Sequence, residues 1–195
     1  MAEKMHVVNQ DIADPSTVGL ASFGIGLFTL SFVNAGLIGP NAVGVIIPLS
    51  LFVALIHFFV ASNGFKKNEL FTAITFGIYG LFWVTFGSIN LFAAMKWVPL
   101  DAHALLVFLI AYTIFNTYLL ISSFVTNWAV ILTLALLEVV FLLLDFGLAG
   151  HPQLVVWAGY VGMLDALLAL YISAAGLWGT LFGRGVLPVG PIVRG

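Results

Sequence analysis

Cysteine is absent from this 195-residue sequence. Disulfides, thiolate metal centres and cysteine nucleophiles are therefore excluded, and the redox compartment stays open. Charge is nearly as scarce. Asp, Glu, Lys and Arg make up 7% of the residues, against roughly a quarter in soluble domains. A soluble fold can bury apolar side chains, but it needs a polar shell, and this chain has too few charges to build one. With 62% hydrophobic residues, the solvent that suits its surface is lipid. A net charge of −2 with six basic residues provides no basic patch for phosphates, so no nucleic-acid partner is expected. Enzyme motifs are missing as well: there is no H-E-x-x-H, no G-x-S-x-G and no phosphate-binding glycine loop. The chain is read as non-enzymatic, without cofactor or metal. A secretory signal is not expected either, because the first 14 residues carry Glu3, Lys4, Asp11 and Asp14 and no apolar run.

What is present is a series of long apolar segments. A spanning helix needs about 20 mostly apolar residues, and six stretches qualify, at 18–37, 43–61, 70–94, 103–124, 129–146 and 154–178. Turn-forming residues separate them, notably Gly39-Pro40-Asn41, Ser62-Asn63-Gly64 and Gly150-His151-Pro152. The expectation is an all-α integral membrane protein, a single six-helix transmembrane domain with a polar tail over 1–17 and a second tail over 179–195. Asp14 is placed to cap the first helix, with Pro15 in its first position.

Basic residues set the expected orientation. Six spans put the N-terminus, the second-to-third loop, the fourth-to-fifth loop and the C-terminus on one side, with Lys4, Lys66, Lys67, Arg184 and Arg194; the other side has only Lys96. That asymmetry predicts cytoplasmic termini in a multi-pass protein of the plasma (cytoplasmic) membrane. Trp83, Trp97, Trp128, Trp157 and Trp178 mostly fall near span ends, as an aromatic belt would. Ala158, Gly162 and Ala166 form a small-residue stripe, suited to internal packing or to a contact between protomers.

Ionisable groups at bilayer depth are costly and usually mark function. Three acids lie within spans. Asp145 is near a span end, where an exposed interfacial role is expected. Glu138 and Asp165 are near the middle of adjacent antiparallel spans, as a protonatable pair or single proton carrier, or as neutral carboxyls bonded to a neighbouring helix. His57 is a lone histidine in the second span, read as structural or proton-sharing rather than metal-binding. No Lys or Arg lies inside any span, so an anionic solute would be held by helix N-termini, amides and hydroxyls, or would cross as its neutral acid. Asn34, Tyr79, Asn90, Asn116 and Thr117 are the candidate polar groups.

Three motifs carry a resemblance. The stretch Asp14-Pro15-Ser16-Thr17-Val18-Gly19-Leu20, followed by Phe23-Gly24 and Asn34-Ala35-Gly36, is similar to an Asn-Pro-Ala-Pro-Leu-Gly-Leu opening of the first helix. Tyr79-Gly80-Leu81-Phe82-Trp83 looks like Tyr-Gly-x-Phe-Trp in the third helix. Phe182-Gly183-Arg184-Gly185-Val186-Leu187-Pro188-Val189-Gly190 is close to Phe-Gly-Arg-x-Val-Leu-Pro-Ile-Gly at the end. Together they resemble the succinate–acetate permease family, also called acetate uptake transporters. That resemblance implies a homo-hexamer of six-helix protomers, each with its own path for acetate or a similar small carboxylate. It also implies a hydrophobic constriction of Phe23, Tyr79 and Leu137, with Asp14, Pro15, Thr17, Gly19, Leu20 and Asn34 in the substrate-path motif. The chain departs from the family where Asn becomes Asp14, and where a second-helix Gln and Glu become His57 and Gly64. The functional expectation is carboxylate transport, channel-like or proton-coupled. A channel for neutral solutes such as urea or ammonia, and a non-transporting sensor or assembly subunit, stay open beside it.

Overall fold

The computed structural model describes residues 13–192, and Lys4 and Arg194 lie outside them. The regular elements are helices: α1 Ser16–Asn34, α2 Val43–Lys66, α3 Leu70–Ala94, α4 Ala102–Ser123, α5 Trp128–Leu148 and α6 Gln153–Phe182. A 3-10 turn, Pro40–Ala42, leads into α2. Among the described residues the sole β-type pairing is a bridge between Asn127 and Pro191. All six helices are long and apolar enough to cross a membrane, and the chain is a multi-pass membrane protein.

Each helix lies beside the next in sequence, and α6 returns against α1, so the six close into a ring. The backbones of α3 and α4 are the most widely separated neighbours, and aromatic side chains close that joint. Phe82 of α3 stacks on Phe108 at 5.4 Å and meets Tyr112 edge-on at 5.0 Å. The Tyr112 hydroxyl donates to the Ile78 carbonyl at 3.2 Å.

Helix ends follow local chemistry. The Asp101 carboxylate accepts the Ala104 N–H at 2.8 Å, capping α4, and that amide holds the Asp101 pKa below the usual carboxylate value. Asn127 caps α5 through Val130 N–H at 3.0 Å. Helix α1 opens at Ser16, one residue after Pro15, and Asp14 accepts the Ser16 N–H at 2.9 Å. The second helix runs on to Lys66, five residues past the 43–61 span read from sequence. There Gly64 lies against the start of α3, where a Cβ would come within 2.9 Å of the Ala73 amide nitrogen. The α2–α3 contact thus uses a glycine that looked like a breaker.

Two expectations resolve inside the bundle. The Ala158, Gly162 and Ala166 stripe is buried against α1, where Gly162 faces the Ser31 side chain and neighbouring Gly159 faces the Ser31 and Ala35 backbone. It is internal packing. Trp83 is only 2% exposed and belongs to the core, unlike Trp97, Trp128, Trp157 and Trp178, which are at least 41% exposed.

Candidate functional site: a cavity ending at Phe23, Tyr79 and Leu137

A cavity of about 450 Å³ enters the ring from the end that carries the α1 N-terminus and the α4–α5 turn. Asp14, Ser16 and Thr17 lie at its mouth, joined by Thr72 of α3 and Asn127 before α5. Phe23, Tyr79 and Leu137 also line it, from three different helices, and are 7%, 4% and 4% exposed. The Phe23 and Tyr79 rings are 6.2 Å apart. Phe23 lies two turns into α1 and Tyr79 lies more than two turns into α3, so these rings stand deep in the bundle. The Phe76 ring of α3 can lie against the α1 backbone here because Gly19 leaves no Cβ in its way. The wall between mouth and rings includes Leu20, His57 and Thr133.

Among the described residues no Lys or Arg lines the cavity. Its polar groups fall into two classes. Several are already engaged: the Ser16 hydroxyl donates to Asp14 at 2.7 Å, and Thr75 donates to the Phe71 carbonyl at 2.6 Å. Among the described residues, Thr133 Oγ1 and both ring nitrogens of His57 are buried without a partner. The imidazole lies beside the Gly19 backbone and edge-on to Phe76 at 5.1 Å, but no well-formed hydrogen bond reaches it. Buried polar atoms are rarely left unpaired, so these are the groups with capacity for a passing solute or water. Among the described residues no His/Asp/Glu cluster suits a metal ion.

The remaining sequence candidates divide. Asp14, Thr17, Leu20 and His57 line the cavity. Gly19 sits behind its wall, and Pro15 precedes the helix. Asn34 is not brought to the site, since it ends α1 at the far side of the bundle. Glu138 and Asp165 are not bonded to each other. The Glu138 carboxylate is half-buried and accepts from Asn116 Nδ2 at 2.6 Å and Thr117 Oγ1 at 2.7 Å. Asp165 is fully buried on α6, and neither of its oxygens has a partner among the described residues. Asp145, expected in an exposed interfacial role, is partly buried instead, and its carboxylate crosses to α4 and accepts from Thr113 at 2.6 Å.

Sequence reasoning missed the cavity's roof. After α6 ends at Gly183 in left-handed conformation, the tail folds back over the mouth, and Gly185, Leu187 and Val189 line it. The Trp128 and Ala129 amides at the start of α5 donate to the carbonyls of Gly190 at 2.9 Å and Val189 at 3.1 Å. The tail thereby satisfies donors that a helix start leaves free. The Tyr171 hydroxyl holds the Pro188 carbonyl at 2.9 Å. The terminal motif was legible as a pattern, but its contact with α5 was not.

The sequence profile of the GPR1/FUN34/yaaH family matches residues 1–189. The chain belongs to the GPR1/FUN34/yaaH family. Among relatives, the succinate-acetate/proton symporter SatP of Escherichia coli (strain K12) is 27% identical over 185 residues, 93% of this chain and 97% of that protein. The ammonia transport outward protein 3 of Saccharomyces cerevisiae is 26% identical over 166 residues, 82% of this chain and 60% of that protein. A solved structure, that of the bacterial acetate channel SatP, matches with a TM-score of 0.88 at 27% identity, covering 92% of this chain and 100% of that one. These GPR1/FUN34/yaaH relatives are named as transporters or channels, and the six-helix ring is the fold of the acetate channel.

Proposed function

We propose that this chain carries acetate or a similar short carboxylate across the cytoplasmic membrane, with Phe23, Tyr79 and Leu137 as the constriction of its path. The observation that carries this reading is the convergence of those three side chains, from α1, α3 and α5, on one cavity. A polar mouth leads there to an apolar neck, a shape suited to a small solute with one polar end. Among the described residues the cavity offers hydroxyls, an imidazole, an amide and the Asp14 carboxylate but no fixed cation. A carboxylate therefore crosses most easily with a proton, borne by the solute or by a protein group. His57 lines the path, and Asp165 and Glu138 are electrostatic neighbours of Tyr79. The cavity mouth is on the side of Lys66, Lys67 and Arg184, which the positive-inside rule makes cytoplasmic. We take the assembly to be a homo-hexamer with one path per protomer.

Labelled acetate flux into proteoliposomes tests the reading, with protein-free vesicles subtracted. Phe23→Ala should widen the neck and admit larger acids while the protein still assembles. Flux and size discrimination identical to wild type would refute the constriction. A second reading, passage of a neutral solute such as ammonia, is favoured by the ammonia-transport relative and by a cavity that no Lys or Arg lines among the described residues. Methylammonium flux that exceeds acetate flux in the same vesicles would select it.

A further inference from the structure

Tyr79 stands at the neck, yet its hydroxyl is turned into the bundle. Its oxygen is 2.6 Å from Asn116 Oδ1. Asn116 is fully buried, with no exposed surface. Its Nδ2 makes two further bonds, to the Leu134 carbonyl at 3.0 Å and to Glu138 Oε2 at 2.6 Å. This arrangement fixes which end of the amide faces Tyr79. A backbone carbonyl can only accept, so the nitrogen must face Leu134. The amide oxygen is left for Tyr79, and an amide oxygen cannot donate. The phenol must therefore give its single proton to Asn116.

We propose that Asn116 is a positioning residue for selectivity: it holds the Tyr79 hydroxyl as a donor into the bundle, so that the neck offers a carboxylate no hydrogen bond. The proposal rests on reading Phe23, Tyr79 and Leu137 as the constriction. Phe23 and Leu137 have no donor, and Tyr79 has spent its own. A carboxylate entering this neck exchanges hydration for aromatic and aliphatic surface, which strongly disfavours the charged form. The neutral acid loses far less. Asn116 thus makes the neck a filter for protonation state, although it touches α3, α5 and Tyr79 rather than the cavity.

Other titratable groups surround this link and bear on any pH profile. Asp165 of α6, Glu138 of α5, and Tyr112 and Tyr118 of α4 are the electrostatic neighbours of Tyr79. His57 of α2 and Asp14 line the same cavity. A pH response alone would not single out Asn116, so the test uses its dependence on Tyr79.

Acetate flux is measured in proteoliposomes from pH 5 to pH 8, again with protein-free vesicles subtracted. In the wild type, flux should fall about tenfold per pH unit well above the pKa of the acid, following the neutral species. Asn116→Leu removes the acceptor and frees the phenol to donate to a carboxylate. A hydrogen bond to a charged group is strong enough to raise anion passage about tenfold or more, so the profile should flatten at high pH. Asn116→Ala leaves no acceptor for the phenol either, and should flatten it too. Adding Tyr79→Phe to either variant should restore the steep fall. Wild-type steepness in both single variants would overturn the proposal, as would flattening that survives Tyr79→Phe. A Raman difference spectrum, wild type minus Tyr79→Phe, covers the case in which the Asn116 variants do not fold. The tyrosine doublet should show a phenol that donates, and a phenol that only accepts would overturn the proposal. No acetate flux in the wild type at any pH would instead take down the functional reading beneath it.

Discussion

Replacing Asp165 by leucine should make this protein more stable. Asp165 is 0% exposed, and both carboxyl oxygens are buried without a hydrogen-bond partner among the described residues. An unsatisfied buried polar group costs about 1–3 kcal/mol. Leucine has a similar branched outline and no polar atom, so Asp165→Leu should recover a stabilisation of that order. For a chain of this length each kcal/mol moves Tm by about 2–4 °C, a shift that thermal unfolding in mild detergent resolves. Asp165→Asn is the control. It keeps the shape and leaves an unpartnered polar group in place, so Tm should hardly move. A fall in Tm for both variants would refute the reasoning, because it would mean that the carboxyl has partners which both substitutions break. A stabilised Asp165→Leu protein also bears on function. A residue that lowers stability persists where it does something else. If Asp165 carries a proton during transport, both variants should lose part of the pH response of acetate flux while retaining flux. An unchanged pH profile in both would remove Asp165 from the coupling scheme.

Three further outcomes are expected. Gly159→Ala should lower stability by about 1–3 kcal/mol, because its new methyl would lie 2.7 Å from the Ser31 carbonyl oxygen; an unchanged Tm would show that α1 and α6 do not meet there. The absence of cysteine makes single-cysteine mapping simple. Lys96→Cys should react with an impermeant maleimide added outside cells, and Lys67→Cys only after permeabilisation; the reverse pattern would invert the topology. Native mass measurement in several mild detergents should find six copies, and monomers or dimers throughout would exclude the hexamer.

Much of the architecture was readable without coordinates. Six apolar segments with few charges leave a chain little choice but six helices in lipid, because backbone polar groups there must bond within their own segment. The motifs at Phe23, Tyr79 and the chain end also pointed to the family. Which way each helix faces was not readable. In a soluble bundle the polar face of a helix reports its orientation, but here lipid and core are both apolar, and that signal vanishes. Glu138 and Asp165 looked equivalent in sequence, each a single acid in mid-span. Packing gave Glu138 the partners Asn116 and Thr117 and sealed Asp165 away from any. Trp83 looked like its four counterparts until the ring of helices enclosed it. The bonds from Trp128 and Ala129 to the tail over the cavity mouth, and the bond that directs the Tyr79 hydroxyl to Asn116, join residues 37 or more positions apart. Hydropathy along a chain measures depth in the bilayer. It contains no term for rotation about a helix axis, and that rotation decides which side chains line the path.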